Sequence, residues 1–561
     1  MGKYGTGQAI RRTEDQRFLT GTGRYTDDIT QPDQAYAVFF RSPFAHGKIL
    51  SLDVSEARSA PGVIAVYTAE DLTSAGIKDV HGSGSPPSSK TPPREPIQQR
   101  PLARDKVRYV GEPVAAVIAD SMAAARDAAE LIFLDVDELD ASVTPVQALE
   151  DGAAQIHDEY EGNLYSILEY GDAEATEAVF GKAAHTVSLE GVNNRLAPTE
   201  LEPRGCNISY QDDKLTVFQG CQGVHNIQGR LAESLEIDPS NIHVIAPDVG
   251  GGFGLKYFLQ CEPVVVAHAA MQTGRPVKWT ADRTESFLSD THGRDHITEA
   301  SLALDDDGKV LAMRASVKAT IGAYCSQVGP IIPWFGASMS PGVYDISTLY
   351  VDVYNVLTNT SPVDAYRGAG RPEAAYLIER LMDKAAAACG LTPDEIRRRN
   401  FVAPDQFPYQ TATGQSYDSG AYETLMNAAL ERSDWAGFEA RRQESESRGK
   451  LRGIGMSYYV EICSALGDEA AQIRVEENGR VTALFGTQAT GQGHETTYAQ
   501  MVADVLGVDI DIVDVIEGDT EKAPAGYGTV GSRSMAIGGS SIILGAEQMI
   551  DAGKNMAAEM M

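Results

Sequence analysis

The sequence predicts a mixed α/β protein in which one unit is built twice, behind a smaller strand-helix-strand region. Three observations carry that prediction. In the first, Lys214-Leu-Thr-Val-Phe-Gln-Gly-Cys-Gln222 is followed by His225, a helical stretch at 229–237, a strand at 241–246 and the turn Asp248-Val-Gly-Gly-Gly-Phe-Gly-Leu-Lys256. In the second, Arg480-Val-Thr-Ala-Leu-Phe-Gly-Thr-Gln488 is followed by His494, a helical stretch at 499–506, a strand at 510–516 and the loop Gly526-Tyr-Gly-Thr-Val-Gly-Ser-Arg-Ser-Met535. Strand, Gly-x-Gln, helix, strand and glycine-rich loop recur in the same order, which reads as a duplicated domain holding one ligand between its copies. In the third, the apolar strand 113–119 leads through Ser121, an N-cap, into an alanine-rich helix and then a strand at 131–136.

Punctuation divides the chain further. At 561 residues and 43% hydrophobic content it is long enough for roughly three or four domains with buried cores. Residues 1–165 hold an N-terminal segment and the strand-helix-strand domain, interrupted by the loop Gly82-Ser-Gly-Ser-Pro-Pro-Ser-Ser-Lys-Thr-Pro-Pro93. The first copy of the repeat occupies 170–410, closing with a helix that stops near Gly390 and another that starts at Thr392-Pro393, where Thr caps and Pro suits the first turn. A helical connector, 411–450, contains the charged stretch 438–448, a solvated face. The second copy occupies 451–561.

Charge and composition exclude several classes. The net charge is -32, from 79 acidic against 47 basic residues, a surface that repels nucleic acid and anionic membranes. No apolar run reaches the ~18 residues of a spanning helix. Arg11-Arg12 is followed by Thr-Glu-Asp-Gln-Arg rather than an export signal's apolar segment, so a cytoplasmic location is expected. The six cysteines at 206, 221, 261, 325, 389 and 463 include no Cys-x-x-Cys pair, which argues against an iron-sulfur cluster or a structural zinc.

Four loops carry the chemistry. In the triple-glycine turn, consecutive glycines can aim successive N-H groups inward as a nest for an anion or oxo group; a structural turn with Phe253 as a core plug is the alternative. Asp364-Ala-Tyr-Arg-Gly-Ala-Gly-Arg-Pro-Glu373 places Arg367 and Arg371 around a helix N-terminus, where guanidinium forks bind carboxylate or phosphate unless they pair with surface acids. Gly486-Thr-Gln-Ala-Thr-Gly-Gln-Gly-His-Glu-Thr-Thr-Tyr-Ala-Gln500 and the 526–535 loop supply amide and hydroxyl donors for an extended polar cofactor, helix capping being the alternative. His494-Glu495-Thr-Thr-Tyr498 lacks the second His of a zinc-protease helix, and Gly491-Gln-Gly-His-Glu-Thr496 lacks the last glycine of a dinucleotide fingerprint.

Taken with 11–28, Arg41-Ser-Pro-Phe-Ala-His46, Val192-Asn-Asn-Arg195 and Leu201-Glu-Pro-Arg204, these loops resemble the molybdenum-binding large subunits of the xanthine dehydrogenase, aldehyde oxidase and carbon monoxide dehydrogenase family over nearly the whole chain. The resemblance implies an α+β and α/β architecture: a small hammerhead domain, then two related mixed α/β molybdopterin-binding domains, the second incomplete. The implied cofactor is molybdopterin with molybdenum, in the cytosine dinucleotide form. The implied reaction is oxidative hydroxylation of an aldehyde or N-heterocycle with water as oxygen source, the alternatives being a non-catalytic remnant or cofactor-holding fragment and a carbon monoxide dehydrogenase large chain. Electrons would pass to [2Fe-2S] clusters and FAD on separate small and medium subunits, in a dimer of heterotrimers.

Carried over residue by residue, the resemblance puts Gln222 beside the metal's apical oxo group, with Gly252, Phe253 and Gly254 next to it and Phe253 shaping the substrate pocket. Ala365, Tyr366 and Arg367 flank the active site, and Gln492, Gly493, His494, Gly531, Ser532, Arg533 and Ser534 hold the pterin and its tail. No protein side chain is expected to bind the metal directly. Gln222 is expected to be an exposed loop amide whose loss spares the fold. Gly368 stands where the carbon monoxide dehydrogenases carry a copper-binding cysteine directly after Ala-Tyr-Arg, so no copper is expected. The family's glutamate base lies in a C-terminal Gly-Glu motif that this sequence does not reach by Met561. Glu202, Glu262 and Glu495 do not match it, so the chain is expected to be truncated or split and inactive alone.

Overall fold

The computed structural model describes residues 5–160, 162–463 and 467–561. Its largest sheet has seven strands and runs through two of the expected domains. In spatial order the strands are Ile242–Ile245, Lys214–Gln219, Gly205–Gln211, Val277–Thr280, Ala35–Arg41, Pro113–Ala119 and Val63–Tyr67. The joint is narrow: Ala35 pairs Val277 and Tyr36 pairs Lys278, in parallel, so the sheet is continuous across position 165. Pro113–Ala119 is buried along its whole length and hydrogen-bonded on both edges, which is why it reads as an unbroken apolar run.

The helix after it, Met122–Ala129, is capped as expected, the Ser121 side chain accepting the Ala124 N-H at 3.2 Å. A cap of this kind is worth about 1 kcal/mol. The strand that follows forms at Phe133–Glu138 rather than 131–136, and it leaves the sheet. Leu134 faces inward between exposed Phe133 and Asp135, and the strand pairs antiparallel with Gly47–Asp53 in a separate three-stranded sheet. The strand-helix-strand unit is therefore split between two layers.

A five-stranded sheet, in the order Leu164–Gly171, Leu349–Leu357, Val310–Gly322, His296–Leu304 and His185–Asn193, forms the rest of the first large domain. Helix Arg371–Cys389 covers it with Leu377, Ile378, Leu381 and Met382, all buried against Val351, Val353 and Leu302. That helix ends at Gly390 in the left-handed conformation, and the next one, Pro393–Asn400, starts from a capping box between Thr392 and Glu395.

The duplication is borne out in backbone pairing. In the first copy Gly205–Gln211 and Lys214–Gln219 form a hairpin, helix Val224–Leu235 follows, and Ile242–Ile245 returns parallel to the hairpin's second strand. In the second copy Ala471–Val475 and Val481–Phe485 form the hairpin, helix His494–Leu506 follows, and Val513–Ile516 returns parallel. Both helices begin earlier in the chain than apolar periodicity suggested, because their first turns are packed against the loops of the site. The copies are joined edge to edge: Ala246 N-H donates to Gly518 O and Thr520 N-H to Val244 O, so the segment after the second copy's last strand extends the outer edge of the first copy's sheet.

Candidate functional site between the two repeats

The triple-glycine turn follows the edge strand Ile242–Ile245, and a carboxylate holds it open. Glu202 accepts the Gly250 N-H at 2.8 Å, the Lys256 ammonium at 2.8 Å and the Thr26 N-H at 3.1 Å. One nest amide is thereby spent on structure; Gly251 and Phe253 border the cleft, whereas Gly252 is buried and does not. Gly251 and Gly254 have φ of +98° and +108°. A Cβ at Gly252 would meet the Gln222 side chain at 2.6 Å, and one at Gly254 would overlap the Ala365 carbonyl. Phe253, at φ +54°, pays the strain of the left-handed region and is 36% exposed in the cleft wall, so it is no core plug.

Gln222 differs from the expectation of an exposed amide. It is 5% exposed, accepts the Gly254 N-H at 2.8 Å through Oε1 and donates from Nε2 to Thr529 O at 2.9 Å. Its side chain ties the turn of the first copy to the loop of the second, and the second N-H of Nε2 is left for the cleft. Burial follows from the short Gly-x-Gln connection, which holds the amide between two packed loops.

The Ala-Tyr-Arg loop closes on the nest from the other side: Arg367 N-H donates to Phe253 O at 2.8 Å. Arg294 braces that loop, giving hydrogen bonds to Tyr366 O at 3.0 Å and Arg367 O at 2.6 Å. The two arginines of the motif then part. Arg371 opens the helix, is 8% exposed, pairs with Glu461 at 2.9 Å and lies over the Phe335 ring, so it is a paired structural cation. The Arg367 side chain is exposed in the cleft and has no hydrogen-bond or ion-pair partner among the described residues.

In the second copy, Gln492, Gly493 and His494 form the start of helix His494–Leu506. His494 Nδ1 lies 3.2 Å from Glu517 Oε2 and its Nε2 lies 3.0 Å from Gln492 Nε2, so the ring is held between these two side chains. Gly531 and Ser532 both have positive φ, and Ser534 Oγ is 3.1 Å from Thr529 Oγ1. Arg533 points away from solvent altogether: it is fully buried, pairs with Glu469 and donates to Gly467 O, Asp468 O and Gly528 O.

Between these loops lies a cavity of about 1970 Å³ that both copies line, with Phe253, Phe335 and Tyr366 in one part and Thr490, Gln492 and Ser532 in another. It is larger than the roughly 300–1,000 Å³ typical of small-ligand pockets and suits an extended cofactor together with a substrate. The N-terminal segment closes one side. Arg12 donates to Gly491 O at 2.8 Å, and Arg17 joins Asp248 of the first copy at 2.7 Å to Glu495 of the second.

The three chain glutamates weighed as a base are all engaged: Glu202 by the nest, Glu495 by Arg17, and Glu262 by Arg41 and Arg204. Burial alone would raise the Glu262 carboxyl, but the two guanidiniums outweigh it and hold it at about 2. Among the described residues no group of three or more His, Cys, Asp or Glu is placed to hold a metal ion. Sequence reading did not single out Arg294, Arg17, Thr529 or Glu517 for roles at the site; each acts through partners distant in the chain, which no local spacing records.

Comparison with known proteins agrees with this layout. Residues 20–140 match the family model of the aldehyde oxidase and xanthine dehydrogenase a/b hammerhead domain, and residues 156–401 and 428–561 match two models of a molybdopterin cofactor-binding domain. The chain is 35% identical over 579 residues to the carbon monoxide dehydrogenase large chain of Hydrogenophaga pseudoflava, covering 98% of this chain and 71% of that one. It is 34% identical over 556 residues to the nicotine 6-hydroxylase large subunit of Paenarthrobacter nicotinovorans, covering 96% and 66%. The structure of quinoline 2-oxidoreductase from Pseudomonas putida 86 superposes with a TM-score of 0.90 at 33% identity, covering 98% of this chain and 70% of that one. The chain thus spans between 66% and 71% of the length of these three relatives.

Proposed function

The chain belongs to the family of molybdenum-binding large subunits that includes the xanthine dehydrogenases, aldehyde oxidases and carbon monoxide dehydrogenases, and on that premise we propose that it serves the oxidative hydroxylation of an aldehyde or an N-heterocycle. The observation that carries the reading is the meeting of three chemically distinct groups at one cleft: the remaining nest amides, the spare N-H of Gln222 and the unpartnered Arg367. Donors and a cation facing one cavity fit a polar, anionic cofactor. Phe253, Phe335 and Tyr366 supply flat apolar walls for a substrate ring or carbonyl.

Molybdopterin, in the cytosine dinucleotide form, is the cofactor proposed, and when bound it supplies two-electron redox chemistry and activation of water as oxygen source. The chain's own contribution is positional. Gly251 and Phe253 offer backbone N-H groups, Gln222 a side-chain donor, and Gln492, His494, Gly531, Ser532 and Ser534 a polar bed at the start of a helix, with Gly252 and Gly493 buried at the turns that shape it. The N-terminal segment shields one wall from water. Arg367 holds an anionic or partly negative oxygen at the substrate end.

Copper is not part of the proposed site. Gly368 has φ +102°, and a Cβ there would overlap Pro372, so a thiolate at this position would require the loop to move. The alternative of carbon monoxide oxidation is correspondingly disfavoured.

Electrons are proposed to leave through [2Fe-2S] and FAD chains in a cytoplasmic heteromeric complex; the acidic surface and widely spaced cysteines support separate redox carriers. No helix of the described residues is long and apolar enough to cross a membrane. The test is to purify the protein with its natural partner chains, measure molybdenum and released CMP, and follow dye reduction with aldehydes, purines, pyridines and CO. Molybdenum and CMP with turnover of an aldehyde or heterocycle supports the reading. Cofactor bound without turnover of any of them identifies a cofactor-holding protein instead.

A further inference from the structure

Behind the cleft lies a second cavity of about 40 Å³. Two residues, Phe258 and Gln327, border both cavities and form the partition between them. Asp364 lies on the small cavity's wall, one residue before the Ala-Tyr-Arg loop, with Ser326 and Thr291 beside it. The volume is room for roughly three or four waters, given the ~10–15 Å³ of accessible space each needs, and its lining offers them several polar partners. One partner is already waiting: Gln327 Nε2 is buried and has no hydrogen-bond partner among the described residues, an arrangement that is unfavourable unless water satisfies it.

Asp364 is fully enclosed, accepting the Ala365 N-H at 2.6 Å and the Val328 N-H at 3.4 Å, with the Ser326 side chain and the Gln327 N-H also acting on it. No salt bridge to it is seen among the described residues. We infer that this cavity is a hydrated chamber through which Asp364 takes up a proton released in the cleft, water passing it across the Gln327 and Phe258 partition. The inference rests on the hydroxylase reading above. Hydroxylation by water, C–H + H2O → C–OH + 2H+ + 2e−, leaves two protons in the cleft while the electrons go to the bound molybdenum centre and on to an iron-sulfur or dye acceptor. Neither Glu262 nor Glu495 can receive one without giving up an arginine.

Of the two carboxyls that line the chamber, Asp364 is the one that burial raises on balance. Burial outweighs its hydrogen bonds and raises it to about 6. Burial raises Tyr109, Tyr324, Cys261 and Cys325, lowers His81, and lowers His292, behind Asp364, to about 4. Glu262 stays ionised beside Arg204 and Arg41. A carboxyl raised in this way is protonated below its folded pKa and becomes a proton acceptor as pH rises through about 6.

The experiment compares the molybdenum-loaded complex with its Asp364→Asn and Gln327→Leu variants. Three results are expected: ordered water between Gln327 and Asp364 in a high-resolution crystal structure; a protonated-carboxyl infrared band that titrates near 6 and is absent from Asp364→Asn; and a rise of kcat through the same pH that Asp364→Asn loses along with roughly 10- to 100-fold in rate. Gln327→Leu should keep the infrared band and lower kcat with KM little changed. A dry chamber overturns the relay, as does an Asp364→Asn enzyme that is slower at every pH but keeps the same pH limb, the signature of a loop brace. A parent complex that shows water and the titrating band but hydroxylates nothing marks failure of the hydroxylase reading itself, and the relay falls with it.

Discussion

The side-chain amide of Gln222 donates to the main-chain carbonyl of Thr529 at 2.9 Å while the Gln222 carbonyl accepts the Thr529 N-H at 2.8 Å. Thr529 turns its hydroxyl back to its own copy, donating to Gln488 O at 2.6 Å and accepting the Gln488 N-H at 3.0 Å. The two Gly-x-Gln segments of the duplication therefore meet at one threonine. Because Gln222 also holds the Gly254 N-H, the nest is registered against the second copy through a single side chain.

It follows that Gln222→Ala should do two things at once. Leaving the Gly254 donor and the Thr529 acceptor unpaired should cost about 1–3 kcal/mol of stability, visible in denaturant unfolding of cofactor-free protein. Turnover per bound molybdenum should fall about 10- to 1000-fold through loss of the spare donor. Unchanged stability and unchanged turnover at equal molybdenum would remove Gln222 from both roles.

Arg367 should behave oppositely. With no hydrogen-bond or ion-pair partner among the described residues and an exposed side chain, its replacement by Ala should shift stability by less than about 0.5 kcal/mol, as for other surface changes. It should still lower kcat/KM by roughly tenfold or more. Arg367→Lys should recover only part, since an ammonium lacks the planar fork. Arg294→Ala is the control: it leaves the Tyr366 and Arg367 carbonyls unbraced and should lower thermal stability first.

How much of this was legible in the sequence depends on the range of the interaction. The duplication was readable because each copy carries its own strand, Gly-x-Gln, helix and loop, all local patterns. The nest and the Ala-Tyr-Arg loop were readable for the same reason: positive φ demands glycine at Gly251, Gly254 and Gly368 wherever the rest of the chain lies. The bracing was not. Glu202 meets Gly250 across 48 positions, Arg294 meets Arg367 across 73 and Arg17 meets Glu495 across 478. The exposed or buried state of Gln222 was misread because burial there is set by docking of the second copy. The strand at Phe133–Glu138 was read two residues early, and its pairing was not legible because alternation fixes which face is buried and leaves the partner strand open.

Gly368→Cys tests the copper question directly. The glycine's φ of +102° and the overlap of a Cβ with Pro372 should make the variant about 1–3 kcal/mol less stable. Reconstituted with Cu(I), it should bind no stoichiometric copper and show no CO-dependent dye reduction. Copper equal to molybdenum, with CO turnover, in either the variant or the parent would overturn the assignment.

Arg533 separates a cofactor contact from a structural one. Its guanidinium is fully buried, paired with Glu469 and bonded to three carbonyls that frame the 526–535 loop. Removing one member of such a pair leaves an uncompensated charge and typically costs about 3–5 kcal/mol. Arg533→Ala should therefore destabilise cofactor-free protein by that order and lose molybdenum as a consequence of loop collapse. The double variant Arg533→Ala/Glu469→Ala should be less destabilised than the sum of the two single changes, because the stranded carboxylate is gone. A group that served the cofactor alone would leave cofactor-free stability near that of the parent and weaken only the loaded protein. That outcome would return Arg533 to the cofactor-binding set, whereas coupling with Glu469 assigns it to the frame that shapes the bed for Gly531, Ser532 and Ser534.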